Sequence, residues 1–116
     1  MSEIQGNWGP YPGGSNRNPV VPLGFARVEA DGTIDAITRN LSMVKSATGV
    51  YTFTPTLPTG ITVAALLLSA ICVDGGASEI SIATEGPTDV RVVTYLSGVP
   101  ADRDFQMTIS QGIVYP

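Results

Sequence analysis

A regular alternation of aromatic residues and threonines over positions 51–54, followed by two prolines, constrains the fold of this chain more than any other feature. Tyr51 and Phe53 point to one side of an extended segment and their neighbours to the other, since successive side chains alternate across a strand. Pro55 and Pro58 lack the N–H that a strand ladder needs, so the strand ends there. The pattern predicts an antiparallel β-strand whose two aromatic residues lie in a core.

Turn signals divide most of the remaining chain into further strands. Asp31-Gly32 is typical of a tight hairpin, and a glycine turn at residues 46–49 leads into the aromatic strand. Strands are predicted over residues 24–30, 33–37, 41–45, 50–55, 61–73, 79–84, 88–96 and 104–115. Seven or eight short strands separated by turns predict an all-β fold, an antiparallel β-sandwich or barrel.

The apolar run 61–73 is ambiguous, because its Ala-Ala-Leu-Leu-Leu centre suits a helix while its flanks are β-branched. Strands and glycine turns on both sides favour one long central strand, buried on both faces, with Cys72 as a buried thiol. Such a strand suggests a subunit interface, for which Leu66 and Leu68 are candidates. The run is shorter than the ~20 residues that a membrane span requires.

Residues 1–22 differ in kind from residues 23–116. They are rich in glycine and proline, which leaves no room for a helix or a regular strand, so we interpret them as an extended N-terminal arm on a knob domain. Trp8, Tyr11, Val20 and Val21 are the candidates for contact with a partner, because aromatic rings gain much from burial. The alternative is a tail in which the tryptophan has no role.

Composition narrows the classes of function. Charged residues make up 14% of the chain, against ~25% in a typical domain, which favours a surface partly covered by partner subunits. A net charge of −4 disfavours a nucleic-acid partner. The chain contains no histidine and one cysteine, which excludes histidine-activated nucleophiles and histidine-ligated metal sites. We expect no enzymatic activity, no cofactor and no bound metal. The N-terminus has no signal-peptide pattern, which predicts synthesis in the cytoplasm.

A few charged residues lie in positions that could carry chemistry. Asp102 and Asp104 form a close carboxylate pair, but Arg103 separates them, and we expect this loop to fix a turn. Arg27 and Arg91 lie within predicted strands, where they face either solvent or an acidic residue of a neighbouring subunit, so both are candidates for a trimer interface. The loop over 74–79 is either a plain turn, which we favour, or a binding loop.

Two blocks of the sequence resemble a β-rich module of phage structural proteins. The first comprises Gly24-Phe-Ala-Arg-Val-Glu-Ala-Asp-Gly-Thr-Ile34 and the residues 40–55, which include Thr-Gly-Val-Tyr-Thr. The second is Val90-Arg-Val-Val-Thr-Tyr95 followed by Pro100-Ala-Asp-Arg-Asp-Phe105. Together they extend over most of residues 24–115. The resemblance implies a small knob on a virion or at the tip of a tail fibre, commonly a trimer.

These observations predict a virion protein, a homotrimeric knob that decorates or cements a phage capsid through its arm. Its partners are then further copies of itself and the major capsid protein. The alternative is a receptor-binding tip that recognises a host surface glycan, with Tyr95, Trp8 and the loops near residues 74 and 97 as candidate contacts. Aromatic residues are not concentrated in those loops, which disfavours the alternative.

Overall fold

The computed structural model describes residues 20–73 and 78–112. The fold is an all-β sandwich of two antiparallel sheets, as predicted. The nine strands in the described residues are β1 (Val20–Val28), β2 (Ile34–Ile37), β3 (Leu41–Ala47), β4 (Val50–Pro55), β5 (Leu66–Cys72), β6 (Ser78–Glu85), β7 (Asp89–Leu96), β8 (Val99–Pro100) and β9 (Phe105–Gly112). A single turn of 3₁₀ helix, Val63–Ala65, precedes β5.

Sheet I has the strand order β2-β1-β9-β5. The last strand in sequence, β9, lies between β1 and β5, and it is antiparallel to both. Phe105 pairs with Val28 at one end of β9, and Gly112 pairs with Val20 at the other end. The first strand therefore begins at Val20, three residues before the predicted start of the knob domain at residue 23.

Sheet II has the order β3-β4-β7-β6, and the short β8 pairs with the end of β7. The predicted turn before Gly49 joins β3 to β4, and the Asp31-Gly32 turn joins β1 to β2. In the Asp31-Gly32 turn the Asp31 carboxylate accepts a hydrogen bond from the Thr33 N–H at 2.9 Å, which lowers the pKa of Asp31. This is the local bond that makes aspartate a turn residue.

The core lies between the inner faces of the two sheets. Tyr51 and Phe53 are fully buried, as predicted, and both rings pack on Phe105, with centroid distances of 4.7 and 6.2 Å. The buried apolar residues are Ala26, Val28, Leu41, Tyr51, Phe53, Val63, Val90, Val92, Phe105, Met107 and Ile109. Val63 belongs to the 3₁₀ turn, and the others come from strands of both sheets at alternate positions, the pattern expected when one face of each sheet packs inward.

The prediction of one long, central, doubly buried strand over 61–73 is wrong. Residues 56–65 carry the chain from β4 in sheet II to the edge of sheet I, and Val63 is buried in the core on the way. Only Leu66–Cys72 forms the strand β5, and its residues alternate between half-buried and exposed. Because β9 occupies the place beside β1, β5 is an edge strand. Cys72 is half-buried, and not fully buried as predicted.

Candidate interaction surface

The strand periodicity of sheet I turns one set of side chains away from the core. Ala26, Met107 and Ala70 point into the core. The residues that alternate with them along each strand point to the opposite side of the sheet. We call this surface the sheet I outer face, and it consists of Phe25, Arg27, Leu67, Ser69, Ile71, Gln106 and Thr108. The register aligns Phe25, Thr108 and Ser69 in one row and Arg27, Gln106 and Ile71 in the next.

Large apolar side chains are exposed on this face. Phe25 and Leu67 are each 50% exposed, and Ile71 is 57% exposed. Arg27 is the single charged residue of the seven, and its guanidinium donates a hydrogen bond of 3.4 Å to the Gln106 side chain. An antiparallel sheet normally presents polar residues to water on its outer face, so this combination is typical of a contact surface.

The face is concave. A cavity of about 310 Å³ lies over β9, with Phe25 on β1 as one wall and Ile71 on β5 as the other. Ser69, Gln106 and Thr108 contribute shorter or polar side chains between those walls. A second cavity, of about 480 Å³, adjoins Pro22 and shares Phe25 and Thr108 with the first. The two cavities form one trough that extends toward the start of β1.

The outer face of sheet II has a different character. Val44 is 66% exposed on the edge strand β3, but its row across the sheet continues with Thr52 and Arg91. Arg91 forms an exposed ion pair with Glu85 at 3.4 Å. Thr54 on the same sheet donates a hydrogen bond to the Asp89 carboxylate at 2.9 Å. This face carries the polar and paired groups that suit contact with water.

The Asp102 and Asp104 carboxylates hold backbone turns in place, in agreement with the sequence prediction. Asp102 accepts a hydrogen bond from the Gly49 N–H at 2.6 Å and pairs with the Lys45 ammonium at 3.0 Å. The bond from Gly49, followed by the bond from Lys45, lowers the pKa of Asp102. Asp104 accepts a bond from the Ala30 N–H at 2.7 Å. Both carboxylates bridge elements that are distant in sequence.

Other acidic residues gather near the β1–β2 hairpin without the geometry of a metal site. A hydrogen bond shared with Asp35, and repulsion from the same carboxylate, raise the pKa of Glu29. Within residues 20–73 and 78–112, no group of three or more cysteine, aspartate or glutamate side chains is placed to hold a metal ion.

The four predicted trimer-interface residues do not share one surface. Arg27 lies on the sheet I outer face, and Arg91 lies on the outer face of sheet II. Leu66 and Leu68 point inward and pack against the core. The residues of β5 that face outward are instead Leu67 and Ile71, which the sequence analysis did not single out. The sequence signal for their outward orientation was Ser69, a polar residue that lies on the same face of β5 as Leu67 and Ile71.

The residues predicted to bind a partner divide between two parts of the chain. Val20 and Val21 are exposed at the start of β1, next to Pro22, the first residue of β1 that lines the trough. Trp8 and Tyr11 lie outside the described residues, as do residues 74–77 of the predicted loop. Tyr95, a candidate glycan contact, is half-buried in β7 and pairs with Pro100 of β8. It belongs to sheet II and so does not lie on the sheet I outer face.

Comparison with protein-family models, with curated proteins and with solved structures found no match to this chain. In the part of the chain that the structure describes, no helix is long and apolar enough to cross a membrane.

Proposed function

We propose that this chain is a non-enzymatic structural protein of a phage virion, a homotrimeric β-sandwich knob that decorates or cements the capsid. Its N-terminal arm, predicted over residues 1–22, attaches the knob to the shell through Trp8 and Tyr11, beside the exposed Val20 and Val21 at the start of β1. The virion setting rests on the resemblance of residues 24–34, 40–55 and 90–105 to the phage module.

The observation that carries the proposal is the exposure of Phe25, Leu67 and Ile71 on the sheet I outer face. Completing the burial of three half-exposed side chains contributes about 1 kcal/mol each, or roughly 3 kcal/mol for each subunit contact. A face that gains this much by being covered suits a protein that assembles. The low proportion of charged residues, 14% of the chain, agrees with a surface that is partly covered by other subunits.

Assembly also provides a mechanism for attachment. Three arms on one rigid body bind a shell cooperatively, because each contact after the first is effectively intramolecular. Weak individual contacts, of the size that one or two aromatic side chains provide, then hold the knob firmly. The use of Asp102 and Asp104 as turn-fixing groups supports a structural role over acid–base chemistry.

The proposal is tested by sedimenting the purified protein with capsid shells of the virus whose genome encodes it. We expect the protein to sediment with the shells and to saturate at a fixed number of copies. Gold labelling of intact virions then locates the protein on the capsid. Label confined to the tail tips, with no sedimentation on shells, would replace the cement proposal with the receptor-binding alternative.

A further inference from the structure

We infer that Trp8 and Tyr11 of one copy dock in the trough on the sheet I outer face of a neighbouring copy. The inference rests on the homotrimer of the proposed function and names the contact that joins its subunits. The trough is then occupied by the aromatic residues that precede β1 in a second copy of this chain.

The chemistry of the trough suits an aromatic ring with a polar group. Its walls are the apolar side chains of Phe25 and Ile71, and its floor carries the hydroxyl of Thr108. Tyrosine and tryptophan present a large apolar surface together with one hydrogen-bonding group, so they match a site of this composition. Arg27 lines the same cavity, where its guanidinium can lie over a π face.

The position of the trough along the chain favours the same occupant. It reaches Pro22, the third residue of β1, and the residues that precede β1 contain Tyr11 and Trp8. Val20 follows Trp8 by twelve positions, a reach of about 40 Å when extended. The trough runs for about 17 Å along β1 from Pro22 to Arg27. The segment is therefore long enough to leave one copy and cross the face of the next.

The symmetry of a trimer favours docking between copies over docking within one copy. In a cyclic trimer each interface joins two different patches, one from each neighbour, and a ring closes when the third contact forms. The aromatic segment and the sheet I outer face are such a pair of unlike patches. Packing of two identical faces on each other would produce a dimer instead.

The size of the face leads to the same conclusion. Four strands spaced ~4.8 Å apart and about seven residues long give the sheet I outer face a projected area of roughly 440 Å². A stable interface buries about 800 Å² on each partner. The face needs an additional element to reach that area, and an extended aromatic segment provides it. This docking describes the free protein, and on a shell Trp8 and Tyr11 leave the trough for the capsid surface.

The test uses the intrinsic fluorescence of the full-length protein, because Trp8 is its single tryptophan. We expect emission at short wavelength and weak quenching by acrylamide, as for a buried indole. Ile71→Lys on the edge strand β5 should shift the emission to long wavelength and increase quenching several-fold. Phe25→Lys on the opposite wall should have the same effect. Val44→Lys, an exposed valine on the edge strand of sheet II, is the matched control and should leave both readings unchanged.

A mixing experiment then identifies the copy that supplies the site. The Ile71→Lys protein has a fluorescent segment and a damaged face, whereas a Trp8→Ala/Tyr11→Ala protein has an intact face and no tryptophan. Adding an excess of the second protein should restore short-wavelength emission from the first. Failure to restore it would overturn docking between copies, and so would a solvent-exposed Trp8 in the wild-type protein.

The two proposals fail in distinguishable ways. If the protein sediments with shells while Trp8 remains fully quenchable in the free protein, the docking inference is wrong and the proposed function stands. If Trp8 is buried in a neighbouring copy but the protein binds no shell, the virion assignment is wrong and the docking inference stands.

Discussion

At the scale of single residues, Gly49 links three parts of the sandwich. Its φ of +72° lies in the left-handed region that favours glycine. Its N–H donates to the Asp102 carboxylate, and its carbonyl accepts a bond from the Thr94 N–H at 2.8 Å. A Cβ at this position would lie 2.7 Å from the Thr94 carbonyl oxygen and 2.8 Å from the Ala101 nitrogen. Both contacts are with backbone atoms, one in strand β7 and one in the loop that follows β8.

Replacement of Gly49 by alanine should therefore destabilise the fold strongly. The left-handed conformation costs a non-glycine residue about 1–2 kcal/mol, and the backbone contacts add to that, so we expect a loss of roughly 3 kcal/mol or more in the free energy of unfolding. Gly86→Ala is the matched control, since Gly86 has a φ of +64° and open space around it. Urea denaturation measures both variants, and equal losses would contradict the role given to the Gly49 contacts.

At the scale of elements, β4 joins the hairpins of the two sheets through a buried phenol. The Tyr51 hydroxyl donates a hydrogen bond of 2.7 Å to the Ala30 carbonyl, which follows β1 in sheet I. The Lys45 ammonium lies 5.7 Å from the centroid of the Tyr51 ring. Burial of the phenol, together with repulsion from the Asp102 carboxylate, raises the pKa of Tyr51 to about 12.

This raised pKa predicts a specific loss of stability in alkali. Tyr51 ionises more readily in the unfolded chain, near pH 10, than in the folded protein, near pH 12. Its contribution is complete below pH 10 and is lost as the pH rises to 12, by roughly 2–3 kcal/mol. Tyr51→Phe removes that dependence and should cost about 1 kcal/mol at neutral pH. Chemical denaturation from pH 7 to 12 compares the two proteins, and parallel curves would contradict the prediction.

The elements also show how far the sequence alone could be interpreted. Alternation and turn chemistry act locally, so they predicted the aromatic strand β4, both hairpin turns and the late strands β6, β7 and β9. The run 61–73 was predicted wrongly because its role depends on a distant event, the insertion of β9 between β1 and β5. A run of apolar residues at a sheet edge looks, in sequence, like a strand buried at the centre.

At the scale of the whole molecule, the same limit explains why the candidate interaction surface was not found from sequence. Phe25 and Thr108 are 83 positions apart in sequence, with Ile71 between them. Antiparallel pairing of three strands brings these residues together. No local pattern encodes that register. The low proportion of charged residues did indicate a surface poor in charge, and the sandwich places three exposed large apolar side chains, Phe25, Leu67 and Ile71, on one face.

Self-association that buries the sheet I outer face is tested most directly by the molar mass of the protein in solution. Light scattering on the purified protein should give three times the 12.1 kDa mass of the chain. Ile71→Lys should shift that mass toward 12.1 kDa, and Val44→Lys should leave the trimer intact. A wild-type protein that stays at 12.1 kDa across a hundredfold range of concentration would contradict the account.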